Sequence, residues 1–212
     1  MHNGSIQTHG ELYVLGAGWF AVEVAGWAVE SGWRVAGLVE LMDPARVGGS
    51  QEGFPIVDAA ALPPGSVAVA AGGRSVDRRD AWAVAEEHGL GAATVVHPTA
   101  HLSATAVVEE GAIVAPLAVV SAGTVVGAHC LLSRGALVGH HATLGPFARL
   151  LPGANVAGHV RLGEGVTVGM SAAIVDDVEV GAGAVVAAGA VVLRDVPAHT
   201  RVQGVPARVF QA

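Results

Sequence analysis

The stretch LVGHHATLGPFARLLPGANVAGHVRLGEGVTV, residues 137–168, repeats with a period of six and decides the fold. Val138 and every sixth residue after it are aliphatic, and the series continues without an insertion from Leu102 to Val192, over sixteen positions. A second series lies two residues before the first, from Ala100 to Ala190, and all of its members are small or β-branched. Two interlocked repeats therefore run through most of the C-terminal half.

A strict period of six excludes an α-helix, because successive members would step around the 3.6-residue turn and leave no apolar stripe. Short strands with a corner every six residues fit this period, because each strand then presents the same positions to the interior. Three hexapeptides then make one triangular coil of 18 residues, and stacked coils bury the aliphatic column beside the small residues. The sequence thus predicts a parallel β-helix, in which Cys130, a member of the small series, is a packed and unreactive thiol.

The N-terminal part of the chain alternates apolar strands with helices. Residues 11–15 (ELYVL) lead into the turn 16–21 (GAGWFA) and a helix predicted from about Phe20 to Ser31, followed by strands at 34–39 and 67–71 and a helix at about 76–88. A strand, a glycine-rich turn and a helix in this order are typical of a nucleotide-binding βαβ unit, whose helix N-terminus binds phosphate. The unit has under 100 residues and fits a mononucleotide better than a dinucleotide.

This pattern places several candidate ligand-binding residues at the carboxyl ends of the predicted strands. The glycines permit a tight turn close to a phosphate, and an acid about 20 residues later is suited to a ribose hydroxyl. Ordinary turn glycines and a solvated acid are the alternative. The residues are Gly16, Gly18, Glu40, Gly72, Gly73 and Arg74.

We accordingly divide the chain into a flexible leader at residues 1–10, a Rossmann-like α/β domain at 11–96 and a β-helix at 97–212. No long linker separates the two domains. A ligand held by the first domain is therefore expected to present its far end to the second.

Composition narrows the function further. The formal net charge is −7, with 11 arginines and no lysine, which argues against a nucleic-acid or anionic-membrane surface. A single cysteine excludes a disulfide framework and favours the reducing cytoplasm. No apolar run approaches the roughly 20 residues of a membrane span, and residues 1–10 lack the features of a signal peptide.

Several segments together resemble the sugar O-acyl- and N-acyltransferases of the sialic acid O-acetyltransferase type. The likeness extends from about Tyr13 to Phe210. Besides the glycine-rich first turn, it is carried by HPTAHLSATAVV (97–108), GHHATLGPFARLLPGANVAGHVRLGEGVTVG (139–169) and RVQGVPAR (201–208), which matches the terminal signature of trimeric hexapeptide acyltransferases.

The resemblance implies a left-handed β-helix, a homotrimer, and transfer of an acetyl group from acetyl-CoA to the amine of a nucleotide-linked 4-amino-4,6-dideoxy sugar, with no metal expected. It also implies that His140 is the general base, a role suited to imidazole near neutral pH. By the same resemblance, Gly18, Trp19, Phe20, Glu40 and Gly72 surround the nucleotide sugar. Acetyl-CoA would lie between subunits near Arg149, Gly158, Met170 and Ala188.

The chain departs from this family at two candidate site residues. His141 stands where an acid usually follows the catalytic histidine, and Arg149 stands where histidine is commoner. Residues 18 apart stack about 4.8 Å from each other in successive coils, so His141, His159 and Asp177 form one ladder beside His140. His141 is therefore a second candidate catalytic residue. A proton relay along the ladder and a plain row of exposed polar side chains are both open.

Three other functions remain open from the sequence. Sugar O-acetylation needs the same base and thioester as N-acetylation. A metal hydrolyase would use histidines between subunits as zinc ligands, and a weakened transferase would bind the nucleotide sugar as a scaffold. The histidines that motivate the metal alternative are His129, His140, His141 and His159.

Overall fold

The computed structural model describes residues 9–210. Residues 1–8 of the predicted leader lie outside this range. Its last two residues pack on the first strands: the ring of His9 stacks on Trp33 with centroids 4.6 Å apart, and the Gly10 carbonyl accepts a hydrogen bond from the Arg34 N–H at 3.2 Å. These two residues are thereby held against residues 33–34, although they lie outside any strand.

The N-terminal sheet contains six strands, β1 (Glu11–Leu15), β2 (Arg34–Glu40), β3 (Ser50–Gln51), β4 (Phe54–Asp58), β5 (Val67–Ala70) and β6 (Gly91–Ala92). Their order is β3-β4-β2-β1-β5-β6, and all pairs are parallel except β3 with β4. Two α-helices, α1 (Trp19–Glu30) and α2 (Ser75–Glu87), and two 3₁₀ turns, Pro44–Arg46 and Ala59–Ala61, connect the strands. Since β2 and β5 flank β1 on opposite sides, the carboxyl ends of β1 and β5 form the crevice where open parallel sheets bind ligands.

Helix α1 follows the glycine-rich turn because its sequence presents an apolar stripe to the sheet. Ala21, Val24, Ala25 and Ala28 are buried at helical spacing. Gly18 is the N-cap residue in an extended conformation and offers no side-chain cap. The first N–H groups of α1, which have no partner within the helix, are left without a side-chain acceptor at the cap.

The C-terminal domain is a three-sided prism of two-residue strands. The first face contains β7 (Val95–Val96), β10 (Ile113–Val114), β13 (Leu131–Leu132), β16 (Arg149–Leu150), β19 (Thr167–Val168) and β22 (Val185–Val186), and it ends in β24 (Arg201–Gln203) and the antiparallel β25 (Arg208–Val209). The second face contains β8 (His101–Leu102), β11 (Val119–Val120), β14 (Leu137–Val138), β17 (Asn155–Val156), β20 (Ala173–Ile174) and β23 (Val191–Val192). The third contains β9 (Val107–Val108), β12 (Val125–Val126), β15 (Thr143–Leu144), β18 (Arg161–Leu162) and β21 (Glu179–Val180).

The two sequence series form the interior of this prism. Every aliphatic member from Val114 to Val192 is buried, whereas Leu102 and Val108 in the first coil are partly exposed. Cys130 is fully buried, its thiol donates to the Gly145 carbonyl at 3.2 Å, and burial raises its pKa to about 12. The structure confirms the predicted fold, a Rossmann-like α/β domain followed by a left-handed parallel β-helix.

Each corner of the prism has a column of residues in the left-handed backbone region. At the corner between the second and third faces the column contains Gly123, His141, His159 and Asp177, with φ between 56° and 69°. Histidine and aspartate are enriched among the non-glycine residues that adopt this conformation. The turn geometry therefore accounts for the presence of polar residues in the ladder.

The two domains share a packed interface over the first face. The prism begins at β7, two residues before the boundary expected at His97. Arg78 of α2 is 1% exposed, and its guanidinium donates to the carbonyls of Gly72, His129, Phe147 and Ala148. Desolvation lowers the pKa of Arg78 to about 10. This one buried side chain joins the nucleotide-type domain to two coils of the prism.

In residues 9–210 we find no helix with the length and apolar character that crossing a bilayer requires.

Candidate active site

Three imidazoles meet at the corner between the second and third faces, which we call the histidine edge (residues 139–142, 157–160 and 175–178). His140 and His141 follow β14, and His159 lies one coil further on. All three side chains are exposed. The main chain beneath them is fixed, because the His159 N–H donates to the His140 carbonyl and the His141 N–H to the Ala122 carbonyl, both at 2.9 Å.

The two candidate catalytic histidines contact each other directly. Nδ1 of His140 lies 3.1 Å from Nδ1 of His141, a hydrogen bond in which one of the two nitrogens carries the hydrogen. On its other side, the His140 ring covers Gly158: a Cβ added at Gly158 would lie 2.9 Å from Cε1 and Nε2 of His140. The absence of a side chain at Gly158 is thus what makes room for the imidazole.

Below His140 the structure places a carboxylate that the sequence analysis missed. Asp176 lies 36 residues after His140, in the same column, with Gly158 between them. Its Oδ1 accepts a hydrogen bond from the Gly158 N–H at 2.9 Å. The stacking period of 18 places Asp176 in the same column as His140 and Gly158, whereas the sequence analysis considered only the neighbouring ladder of His141, His159 and Asp177.

The geometry of His141, His159 and Asp177 does not support a proton relay along this ladder. The rings of His141 and His159 stack 5.2 Å apart with planes 11° from parallel, so their ring nitrogens do not point at each other. In the described part of the chain, His159 has no hydrogen bond to Asp177. His141 is therefore a partner of His140, and His159 is a stacked neighbour.

The crevice at the carboxyl ends of β1 and β5 brings together the predicted glycine-rich segments. Gly16 adopts a positive φ of 112° directly after β1, and Trp19 at the start of α1 is 74% exposed. Phe20, the next residue, is half-buried and packs edge-on against Trp27. Trp19 is the aromatic side chain of this pair that is open to a ligand.

Glu40 is engaged by its own loop. Oε1 accepts from the N–H groups of Leu41, Met42 and Asp43, and Oε2 accepts from Arg46 at 2.8 Å. Burial would raise the pKa of Glu40, but the N–H donors and the guanidinium outweigh it and hold the pKa below its usual value. Only 4% of the side chain is exposed.

Arg46, which the sequence analysis missed, links Glu40 to the glycine-rich turn. Its guanidinium also donates to the Ala17 carbonyl at 2.8 Å, and 37% of its side chain is exposed. Arg46, held in place by Glu40, therefore brings a cation next to the glycine-rich turn.

The segment after β5 lies against the prism. Gly72 is packed so closely on the start of α2 that a Cβ at this position would lie 2.5 Å from the backbone nitrogen of Arg78. Gly73 is open, and its carbonyl accepts from the Arg149 guanidinium, which also donates to Thr167 at 3.0 Å. Burial lowers the pKa of Arg149.

Arg149 lines a groove of about 580 Å³ between α2 and the prism. Arg74, paired with Asp77 at 2.7 Å, and Arg79, paired with Glu164 at 2.5 Å, line the same groove. Because Asp77 and Glu164 balance two of these charges, the positive charge that suits an anionic ligand comes from Arg149.

The predicted acetyl-CoA residues lie on separate parts of the prism. Arg149 is on the first face, and Gly158 is at the histidine edge. Met170 and Ala188, both exposed, share the corner between the first and second faces. One chain therefore does not bring the four residues together around a single ligand.

His129 is separate from the histidine edge. Its ring is sandwiched between Trp82 and Phe147, with centroid distances of 4.4 and 4.9 Å, and it is 6% exposed. Burial lowers its pKa, which favours the neutral ring. His129 is part of the domain interface. Of the four histidines considered as zinc ligands, only His140, His141 and His159 therefore lie together.

Comparisons with known proteins agree with this fold. The family model Bacterial transferase hexapeptide (six repeats) matches residues 159–194. A comparison with curated proteins finds no sequence match.

The acetyltransferase domain of PglB from Neisseria gonorrhoeae FA1090, solved with acetyl coenzyme A, is 32% identical with a TM-score of 0.86, and the alignment covers 94% of this chain and 98% of that one. PerB from Caulobacter crescentus, solved with CoA and GDP-perosamine, is 31% identical with a TM-score of 0.88 and coverage of 95% and 98%. A variant of perosamine N-acetyltransferase from the same organism is 28% identical, with a TM-score of 0.88 and coverage of 96% and 98%. The chain therefore belongs to the hexapeptide-repeat family of nucleotide-amino-sugar acetyltransferases.

Proposed function

We propose that this protein transfers the acetyl group of acetyl-CoA to the amine of a nucleotide-linked 4-amino-4,6-dideoxy sugar, with His140 as the general base. The observation that carries the proposal is the hydrogen bond between Nδ1 of His140 and Nδ1 of His141. When His140 donates this hydrogen, its Nε2 is left with a free lone pair at an exposed corner. The relatives solved with CoA, acetyl-CoA and GDP-perosamine support the choice of substrates.

His140 then has a defined task in a direct transfer. The sugar nitrogen attacks the thioester carbonyl carbon, and an N–C bond forms. His140 Nε2 takes the proton that the nitrogen loses, the C–S bond breaks, and the proton passes to the leaving sulfur to give free CoA. No acyl-enzyme is required, and His141 holds His140 in the tautomer that accepts the proton at Nε2.

The nucleotide is expected to bind in the crevice at the ends of β1 and β5. The uncapped N-terminus of α1 and the partly exposed Arg46 suit its phosphates, and Trp19 offers a ring for stacking. This crevice belongs to the domain that packs over the first face. The histidine edge is the corner opposite that face, so the body of the prism lies between the two sites of one chain.

A homotrimer resolves this separation, because the crevice of one chain then faces the histidine edge of another. The third face carries polar outer side chains from Thr143 onward, including the Arg161–Glu179 pair, although Val107 of its first strand is exposed. The second face and its corners instead expose apolar side chains, as expected for a subunit contact. These side chains are Leu117, Leu137, Met170, Val175 and Leu193.

The test is release of free CoA thiol from acetyl-CoA with GDP- and UDP-linked 4-amino-4,6-dideoxyhexoses as acceptors. We expect turnover of at least one acceptor, and a fall of roughly 10²- to 10⁴-fold in kcat for His140→Gln. His88→Gln is the control, since His88 is exposed at the end of α2 and lines neither the crevice nor the groove. The proposal fails if no acceptor is acetylated or if His140→Gln retains the wild-type rate.

A further inference from the structure

The histidine edge has the ligand set of a transition-metal site. In the described residues, His140, His141 and His159 are the group of three or more potential ligands whose donor atoms all lie within 4.8 Å of one another. All three ligands are neutral imidazoles when deprotonated, and nitrogen donors of this kind suit Zn²⁺. The family comparisons assign no metal to this corner, and the proposed transfer reaction does not use one.

Two of the three nitrogens already have the spacing of ligands to one ion. Zn–N distances of about 2.0 to 2.1 Å place two tetrahedral nitrogen ligands roughly 3.3 Å apart. Nδ1 of His140 and Nδ1 of His141 are 3.1 Å apart. An ion bound to both nitrogens would lie to one side of the line that joins them, and it would displace the hydrogen that they now share.

The third ligand requires only a side-chain movement. His159 lies edge-on to His140, with ring centroids 5.0 Å apart and planes at 85°. One nitrogen of each of the three rings lies within 4.8 Å of the others, so the exposed His159 ring must close by at most about 1.5 Å to reach ligand spacing. The backbone does not have to move, because the hydrogen bond from the His159 N–H to the His140 carbonyl holds the two coils together.

We infer that His140, His141 and His159 bind one Zn²⁺ ion per chain, and that the bound ion inhibits the protein. Coordination through Nδ1 of His140 obliges Nε2 to carry the remaining hydrogen of the neutral ring. Nε2 then has no lone pair with which to accept a proton. Zinc and the proposed base function are thus mutually exclusive, and water completes the coordination.

Binding can be measured without reference to activity. The full-length protein, stripped with EDTA, is dialysed against ZnCl₂ at neutral pH, and its metal content is determined. We expect one zinc per chain for the wild type and loss of this zinc in His141→Asn and His159→Asn. Asparagine tolerates the left-handed backbone that both positions adopt. His199→Asn is the matched control, because His199 is also exposed at a corner with a φ of 55°.

Two further readouts distinguish this site from adventitious binding. Co²⁺ in the same site should give the visible absorption of tetrahedral coordination, and His159→Asn should lose it. The ratio of rates with and without one equivalent of Zn²⁺ should fall for the wild type, recover with EDTA, and stay near one for His159→Asn. The inference is overturned if wild type and His159→Asn bind equal amounts of zinc. It is also overturned if the control His199→Asn loses the metal as completely as His141→Asn and His159→Asn do. Because the metal content is measured directly, failure of the acetyl-transfer proposal would not alter that result.

Discussion

Alanine at position 158 should slow the reaction while leaving the fold intact. Gly158 is not among the glycines with positive φ, so alanine causes no backbone strain there. Its methyl group, however, would lie 2.9 Å from Cε1 and Nε2 of His140 and 3.1 Å from Oδ1 of Asp176. Ordinary contacts begin at 3.4 Å, so the imidazole must retreat by about 0.5 Å.

The expected cost follows from this displacement. A misplacement of 1 Å in a reacting group costs about 10²-fold in rate, so half of that shift predicts a kcat lower by roughly 10-fold. The stability should change little, because the atoms that must move belong to exposed side chains. The rate is measured by thiol release with the best acceptor of the nucleotide-sugar panel, and the Tm is measured by thermal denaturation.

Gly26→Ala is the matched control. Gly26 lies in α1, and a Cβ there meets no atom within 4 Å. This change should leave kcat unaltered and raise stability by roughly 0.5 to 1 kcal/mol, the helix-propensity difference between glycine and alanine. A folded Gly158→Ala protein with the wild-type kcat would show that the ring position over Gly158 is not the one from which His140 acts.

Three more predictions concern buried groups. Arg78→Met removes the guanidinium from four carbonyls, of which the Ala148 carbonyl still accepts from the Leu131 N–H, and should cost roughly 2 to 4 kcal/mol, lowering Tm by about 5 to 15 °C. Arg79→Met, at an exposed ion pair, should cost under about 1 kcal/mol, and equal losses for the two variants would contradict this. Cys130, with a pKa of about 12, should resist iodoacetamide until the protein unfolds; mass spectrometry of native protein carrying the adduct would refute its burial. Because the pKa of Glu40 is lowered, its carboxylate stabilises the fold at pH values above its ordinary pKa of 4.5, and this stabilisation is lost as the pH falls further. Glu40→Gln should therefore flatten the acid side of a plot of Tm against pH, and an unchanged slope would refute this.

The sequence predicted the parts of this molecule that depend on periodicity. The series through Val138 gave the strands and the interior of the prism, because a residue that recurs every six positions has the same environment in each coil. The same period of 18 placed Gly158 beneath His140. Periodicity could not show that Asp176 reaches Gly158, since that contact depends on a side-chain rotamer.

Contacts between distant segments were not predictable in the same way. Nothing in the local sequence shows that Arg78 would be buried against Phe147, 69 residues later, or that Arg149 would reach the Gly73 carbonyl. Glu40 was expected at a ribose hydroxyl because of its distance from the glycine turn. Arg46 and three nearby N–H groups already occupy its carboxylate, which is a feature of the loop conformation and not of the spacing.

The histidine in place of the usual acid is compatible with catalysis when both constraints at position 141 are considered. The backbone is left-handed there, with a φ of 56°, and histidine is among the residues that tolerate it. The side chain must also accept a hydrogen bond from Nδ1 of His140, and an imidazole nitrogen 3.1 Å away can do so. A carboxylate would add a negative charge to balance the cation that His140 becomes, whereas His141 fixes only the tautomer. Without this charge we expect a slower reaction than with a carboxylate at position 141. Because His140 keeps its hydrogen-bond partner, the substitution does not favour the alternative of a non-catalytic scaffold.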